Sequence, residues 1–232
     1  MNGYQLNPSR LGVRPAPALV QQLLIGAFGW MGAGLALTAG VAYLVTTSPT
    51  LLDGIAGLWL PLIIGQLVLA VVIQAAINKL SATASLALFF IYAATMGLTI
   101  GLIVSMYTGE SVAAAFISSA AMFGGAAVFG VTTKRDLSGL GGIASMAVIG
   151  LVVAMVVNML LKSSPLGWLI SLVGVALFTV LTAYDVQKIT SGQYAAITKS
   201  ADRASILAAL RLYLDFVNLF LFLLRLFGGS RR

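Results

Sequence analysis

The sequence predicts an all-α polytopic membrane protein, a bundle of seven transmembrane helices, and three observations carry that prediction. Hydrophobic residues make up 60% of the 232 residues and charged residues only 8%, against about 25% charged in soluble domains, and the mean hydropathy is +1.04. The apolar residues collect into seven runs, each long enough to cross a hydrocarbon core of about 30 Å. The stretches between the runs are short and rich in Ser, Thr, Gly and Pro. A chain of this length has room for one domain and no separate soluble one. The expected organisation is a cytoplasmic tail over 1–22, a seven-helix domain over 23–228 and a short basic tail over 229–232.

The first residues, through Leu19, are polar and broken by Pro8, Pro15 and Pro17, with Arg10 and Arg14 their only charges. Leu23 to Val45 is the first span. It is longer than a signal-peptide core and is followed by no small-residue cleavage site, so it is expected to remain as an anchor. Ile55 to Ile77 is the second, where Pro61 is expected to kink the helix by removing an amide donor. Ala82 to Met106, Val112 to Thr132, Leu140 to Leu161 and Leu166 to Val186 follow. The longest connection, Lys188 to Ser205, leads to the seventh run, Ile206 to Phe227. Glycines recur inside the spans, at 26, 29, 32 and 34, at 97 and 101, and at 124 and 125. Small residues of this kind let helices approach closely in lipid, where no hydrophobic force draws them together.

Orientation follows from the basic residues, which collect on the cytoplasmic side of bilayers. Alternate connections place Arg10, Arg14, Lys79, Lys134, Arg135, Lys188, Lys199 and Arg203 on one side, and through the sixth span only Lys162 on the other. The N-terminus is therefore expected in the cytoplasm. A seventh full crossing puts Arg231 and Arg232 outside, so the last run is read either as a span or as a re-entrant segment buried in protein. The formal charge of +7 is spread over connections and ends. It reads as topology and lipid headgroup contact, with no tract suited to nucleic acid.

The chemistry lies in two acids. Asp53, Glu110, Asp136 and Asp202 fall in polar connections, whereas Asp215 stands in the body of the last run and Asp185 just inside the end of the sixth. A charge at the bilayer centre costs at least about 2.5–3.5 kcal/mol, so each acid needs a partner or a proton. If the last run enters the membrane near Arg211, Asp215 lies about 6 Å deeper, level with Asp185. Two acids sharing a weakly solvated site cannot both ionise cheaply. Protonated, they share a hydrogen bond; ionised, they repel one another and attract a cation. Such a pair is a gate or a sensor for protons, and with Gln187 and Asn218 it offers part of an oxygen shell for calcium along a cation path. The sequence has no Cys and no His, which leaves carboxylates as its means of responding to neutral pH.

Local alternatives stay open. Arg211 stands four residues before Asp215 and Lys188 three after Asp185, spacings that also form ion pairs within one helix. Lys79 is either a partner that reaches the acids or an interfacial anchor. An intramembrane aspartyl protease is a poor fit, because neither acid follows the glycine of the GxGD-type motif, and the chain is read as no enzyme.

LTAYDVQKI at 181–189, LYLDFVNLFLFLLRLFG at 212–228 and FGVTTKRDLSGLGG at 129–142 together resemble the Bax-inhibitor family of TMBIM-type membrane proteins, in a bacterial version. The resemblance covers nearly the whole chain. It implies seven helices with the last one central, a place in the bacterial cytoplasmic (inner) membrane, and a pH-sensitive calcium leak whose di-aspartyl sensor is Asp185 and Asp215. No cofactor is implied beyond calcium as the permeant ion, with protons and the lipid bilayer as the other partners. It further implies that a basic residue at the end of the second helix, here Lys79, locks the pore by bonding to the pair. Lysine lacks the bidentate fork of arginine, so such a lock is weaker. Arg211 departs from the small polar residue usual before LYLDF, and its charge bears on the response of Asp215. Two other functions fit a bundle of this kind. One is an interaction protein that regulates a membrane-anchored protease through a surface or the first nineteen residues. The other is a proton-coupled transporter, which predicts an internal repeat that the spans do not display.

Overall fold

The computed structural model describes residues 15–228, which form helices joined by short turns. Seven of the helices are long and apolar enough to cross a membrane. They are α1 (Pro17–Thr47), α3 (Trp59–Ala76), α4 (Ala82–Val104), α5 (Gly109–Thr132), α6 (Ser138–Leu161), α7 (Ser164–Thr190) and α9 (Ala201–Phe227); two short helices, α2 (Pro49–Ala56) and α8 (Gln193–Thr198), lie in the connections. The expected tail charges Arg10, Arg14, Arg231 and Arg232 lie outside the described residues. α1 begins six residues before the expected Leu23, because Pro17 occupies its first turn, where no amide donor is needed.

Local chemistry explains the helix starts. The Ser48, Ser81 and Thr108 side chains accept from the Leu51, Ala84 and Ser111 amides and open α2, α4 and α5, each satisfying a donor the helix leaves orphaned. Glu110 in the first turn of α5 adds favourable charge at the positive end of the dipole. Hydroxyls in mid-span donate to carbonyls one turn back, as Ser119 does to Ala115, Ser171 to Gly167 and Thr182 to Phe178. Lipid offers no partner, so these polar groups are satisfied within their own helix.

Pro61 does not kink a helix. It is the third residue of α3, so it falls in a first turn that lacks an i−4 carbonyl to clash with. The expected second span is α3, which begins four residues after Ile55, while α2 takes up the connection before it and the first two residues of the expected run. The last segment is an unbroken helix of 27 residues, about 40 Å at 1.5 Å per residue, which favours a full span over a re-entrant loop. Burial ranks the helices. The apolar window of α9 is 78% buried and that of α7 50%, whereas the other five lie between 17% and 33%, so α9 is the most enclosed.

By its internal contacts the chain divides into two units, Met1–Ser105 with Lys188–Tyr213, and Met106–Gln187 with Leu214–Arg232. In the first, α4 packs against α1 and α3, and α2 against α1 and α4. Glycine makes the α1–α4 approach possible: a Cβ on Gly97 would stand 2.6 Å from Val41 Cβ and 2.8 Å from the Thr38 carbonyl. Gln66 of α3 donates to the Thr95 carbonyl and the Thr99 hydroxyl of α4, both at 2.8 Å. Tyr213, fully buried, meets Phe89 and Tyr92 edge to face, with centroids 5.6 and 5.9 Å away. Its hydroxyl lies 2.6 Å from Thr38 Oγ1, which donates to the Ala93 carbonyl at 2.8 Å. A hydroxyl has one proton, so Thr38 must accept from Tyr213.

In the second unit, α9 runs along α7 and α5. Phe216 meets Phe116 and Phe123 of α5 edge to face at 5.7 and 5.5 Å. Phe222 stacks on Phe178 of α7 at 5.9 Å.

Candidate functional site

Both candidate acids are buried. Asp185 and Asp215 are each 5% exposed, an unusual place for a carboxylate, and both belong to the second unit. Their relation follows from the register of α7 against α9. Gly167 lies by Arg225, Gly174 by Phe222, and Phe178 by Phe222. As the numbers rise on α7 they fall on α9, so the helices run antiparallel. Asp185 stands two turns after Phe178, and Asp215 two turns before Phe222. A heptad returns a helix to within about 20° of the same face and advances it about 10.5 Å. From the Phe178–Phe222 stack, both aspartates are therefore reached by the same step in the same direction, on the facing sides of the two helices. Counted from that stack, the two acids fall at about the same height along the paired helices.

The back of Asp185 is fixed on three sides. Ala183 lies against Gly130 of α5 so closely that a Cβ there would strike the Ala183 carbonyl. The Tyr184 ring lies on Gly141 of α6 in the same way. Ala126, Leu137 and Ala183 form a buried cluster against which Tyr184 packs. Gln187 provides the third contact. Its Nε2 donates to the Arg135 carbonyl at 2.8 Å, and its Oε1 accepts from the Leu137 amide at 2.9 Å. The side-chain amide thus acts as a peptide group, satisfying the donor and the acceptor of an irregular connection. Asp136 completes that turn by accepting from the Ser138 amide at 2.9 Å at the start of α6.

The other sequence-predicted residues are placed less centrally. Asn218 donates to the Leu214 carbonyl at 2.8 Å, one turn back on α9. Arg211 is exposed on α9, one turn before Asp215, and Lys79 is exposed in the turn after α3. The neighbouring Asn78 carbonyl accepts from Arg203 at 3.0 Å. Lys188 lies over the Tyr194 ring, 5.6 Å from its centroid. Among the described residues no three His, Cys, Asp or Glu side chains gather as a metal cluster would.

Some contributors were not legible beforehand. Gly130 and Gly141 belong to the quoted FGVTTKRDLSGLGG stretch, yet nothing in the sequence links them to Asp185. At the far end of the unit, the Arg225 guanidinium and the Asn158 amide both crowd Gly167, each with a nitrogen 3.1 Å from where its Cβ would be. A buried Asn and an Arg in the last turn are the signals that mark this spot.

Comparison with known proteins gives one consistent result. The family model described as inhibitor of apoptosis-promoting Bax1 matches residues 20–232. The inner membrane protein YbhL of Escherichia coli strain K12 is 44% identical over 225 residues, covering 94% of this chain and 96% of that protein. An uncharacterized protein of Deinococcus radiodurans is 46% identical over 213 residues, covering 91% and 92%. One from Borreliella burgdorferi is 39% identical over 215 residues, covering 90% and 93%.

Proposed function

The chain belongs to the Bax inhibitor family, and on that premise we propose that it is a pH-sensitive calcium leak of the bacterial inner membrane, gated by Asp185 and Asp215. The inner membrane assignment rests on the seven apolar helices and on the relative whose name carries that location. The N-terminus faces the cytoplasm in this reading, with Lys79, Lys134, Arg135 and Lys188 on the same side.

The observation that carries the reading is the burial of two carboxylates in register on α7 and α9. With one proton between them, the acids share a hydrogen bond and hold the helices together. With none, two negative charges face each other where water is scarce, and each gains by separating or by receiving a cation. Calcium suits the opened site because it accepts carboxylate and carbonyl oxygens in flexible geometry. It is the passing ion here and no resident cofactor. Lys79 and Arg211 tune the pair by charge, the first as a lock and the second from one turn away. Asn218 is the polar side chain that α9 offers to the path in this reading.

Calcium entry into liposomes containing the purified protein tests this directly. Entry above that of empty liposomes, varying with pH, supports the leak. No entry at any pH removes it and favours the interaction protein, which is then sought by recovering a membrane-anchored protease crosslinked to the full chain.

A further inference from the structure

We propose that the connection between α5 and α6 positions Asp185, with Gln187 as the residue through which it acts. The inference deepens the proposed role of the aspartate pair and rests on it for its consequence for flux, although the geometry stands apart from any transport.

Gln187 follows Asp185 by two residues, about 200° around the helix, so it points away from the side that carries the acid. There it closes two hydrogen bonds onto the backbone of a stretch some fifty residues earlier, at Arg135 and Leu137. Ala183 on Gly130 and Tyr184 on Gly141 are approaches so close that a Cβ on either glycine would strike its neighbour. Of the three, Gln187 is the directional one. Apolar contacts fix how near α7 approaches, whereas a two-point amide bond also fixes its rotation and its height. The connection is built to receive it: Asp136 holds the Ser138 amide, Thr133 Oγ1 accepts from the Arg135 amide at 3.3 Å, and Leu137 is buried. Lys134, Arg135 and Asp136 are exposed, so a change on the surface of this connection has a polar route to the Asp185 turn through Gln187, beside the apolar contact of Leu137 with Ala183.

The elements that carry or flank Asp185 supply the following charged and titratable groups around it, which Lys79 joins in the proposed lock. α9 brings Asp215 and, a turn earlier, Arg211; α7 itself brings Lys188 and Tyr184; the connection brings Lys134, Arg135 and Asp136. α5 carries only Glu110, at its far end, and α6 carries none. Gln187 is neutral, so removing it alters Asp185 through position and not through added or lost charge.

The test is an infrared titration of the protonated-carboxyl band of the full-length protein in lipid, assigned to Asp185 by its loss in Asp185→Asn. Gln187→Leu removes both hydrogen bonds at similar volume. Gln187→Asn, the milder change, keeps a neutral amide one methylene shorter, and Gln66→Leu is a control that cuts two bonds in the other unit. The expected result is a titration midpoint displaced by about 0.4–1.5 pH units in Gln187→Leu. A smaller displacement in Gln187→Asn and none in Gln66→Leu complete it. An unmoved midpoint in both Gln187 variants overturns the proposal, as does an equal displacement in Gln66→Leu. Should Gln187→Leu fail to fold, Gln187→Asn decides alone. Calcium flux of the same preparations separates the two ideas: a displaced midpoint with no wild-type flux retains the positioning and removes the leak.

Discussion

Replacing Tyr213 by Phe and Thr38 by Val should have unequal effects, and the hydrogen-bond directions fix the order. Thr38 spends its proton on the Ala93 carbonyl and accepts from Tyr213, with both side chains at 4% exposure or less. Tyr213→Phe removes the hydroxyl and keeps the ring contacts with Phe89 and Tyr92. Thr38 retains its own donated bond, so the loss is one ordinary hydrogen bond, about 0.6–1 kcal/mol. Thr38→Val instead leaves the Tyr213 hydroxyl buried with no acceptor, at a cost of about 1–3 kcal/mol. The double variant has no stranded hydroxyl and should be no less stable than Thr38→Val alone. The coupling energy is then about 0.6–1.7 kcal/mol. Reversible unfolding in mixed micelles of increasing SDS fraction, run as a double-mutant cycle, measures all three. A Tyr213→Phe cost equal to or above that of Thr38→Val, or a coupling of zero, would refute the assigned direction of the bond.

Two further outcomes follow from the close approaches in the second unit. Gly130→Ala places a methyl group against the Ala183 backbone, whereas Gly124 has nothing within 4 Å. Thermal unfolding should show a loss of about 1–3 kcal/mol for the first and a change within about 0.5 for Gly124→Ala. Gly174→Ala puts its Cβ 2.6 Å from the Phe222 ring, which stacks on Phe178. It should disturb the α7–α9 register on which the proposed aspartate pairing depends, read as an altered pH profile of flux beside wild-type yield of folded protein.

Span number, order and approximate limits were legible because hydrocarbon thickness sets a minimum apolar length, and every connection interrupts the apolar runs with polar or turn-forming residues. α2 was missed although Ser48 and Pro49 together mark a helix start; the length of the following apolar run outweighed that signal. α8 is bounded by left-handed Gly192 and Lys199, a conformation that a lysine does not announce. The burial of Asp185 and Asp215 was legible because a carboxylate among apolar residues demands explanation. Gln187 was not. Read as part of a cation path, it instead bonds a connection 50 and 52 residues away, and no local spacing reports such a partner. The tight glycines escaped for a related reason: lipid-facing and protein-facing sides of a span are both apolar, so periodicity does not say which glycine meets a neighbour.

The most direct test of the central claim is calcium flux into liposomes from pH ~5.5 to 8, a window around neutrality suited to a shared proton, for wild type, Asp185→Asn and Asp215→Asn. The account predicts that wild-type flux changes across this window and that either substitution flattens the profile, since a single carboxylate has no twin to repel. Flux that keeps its full pH dependence in both variants would contradict it.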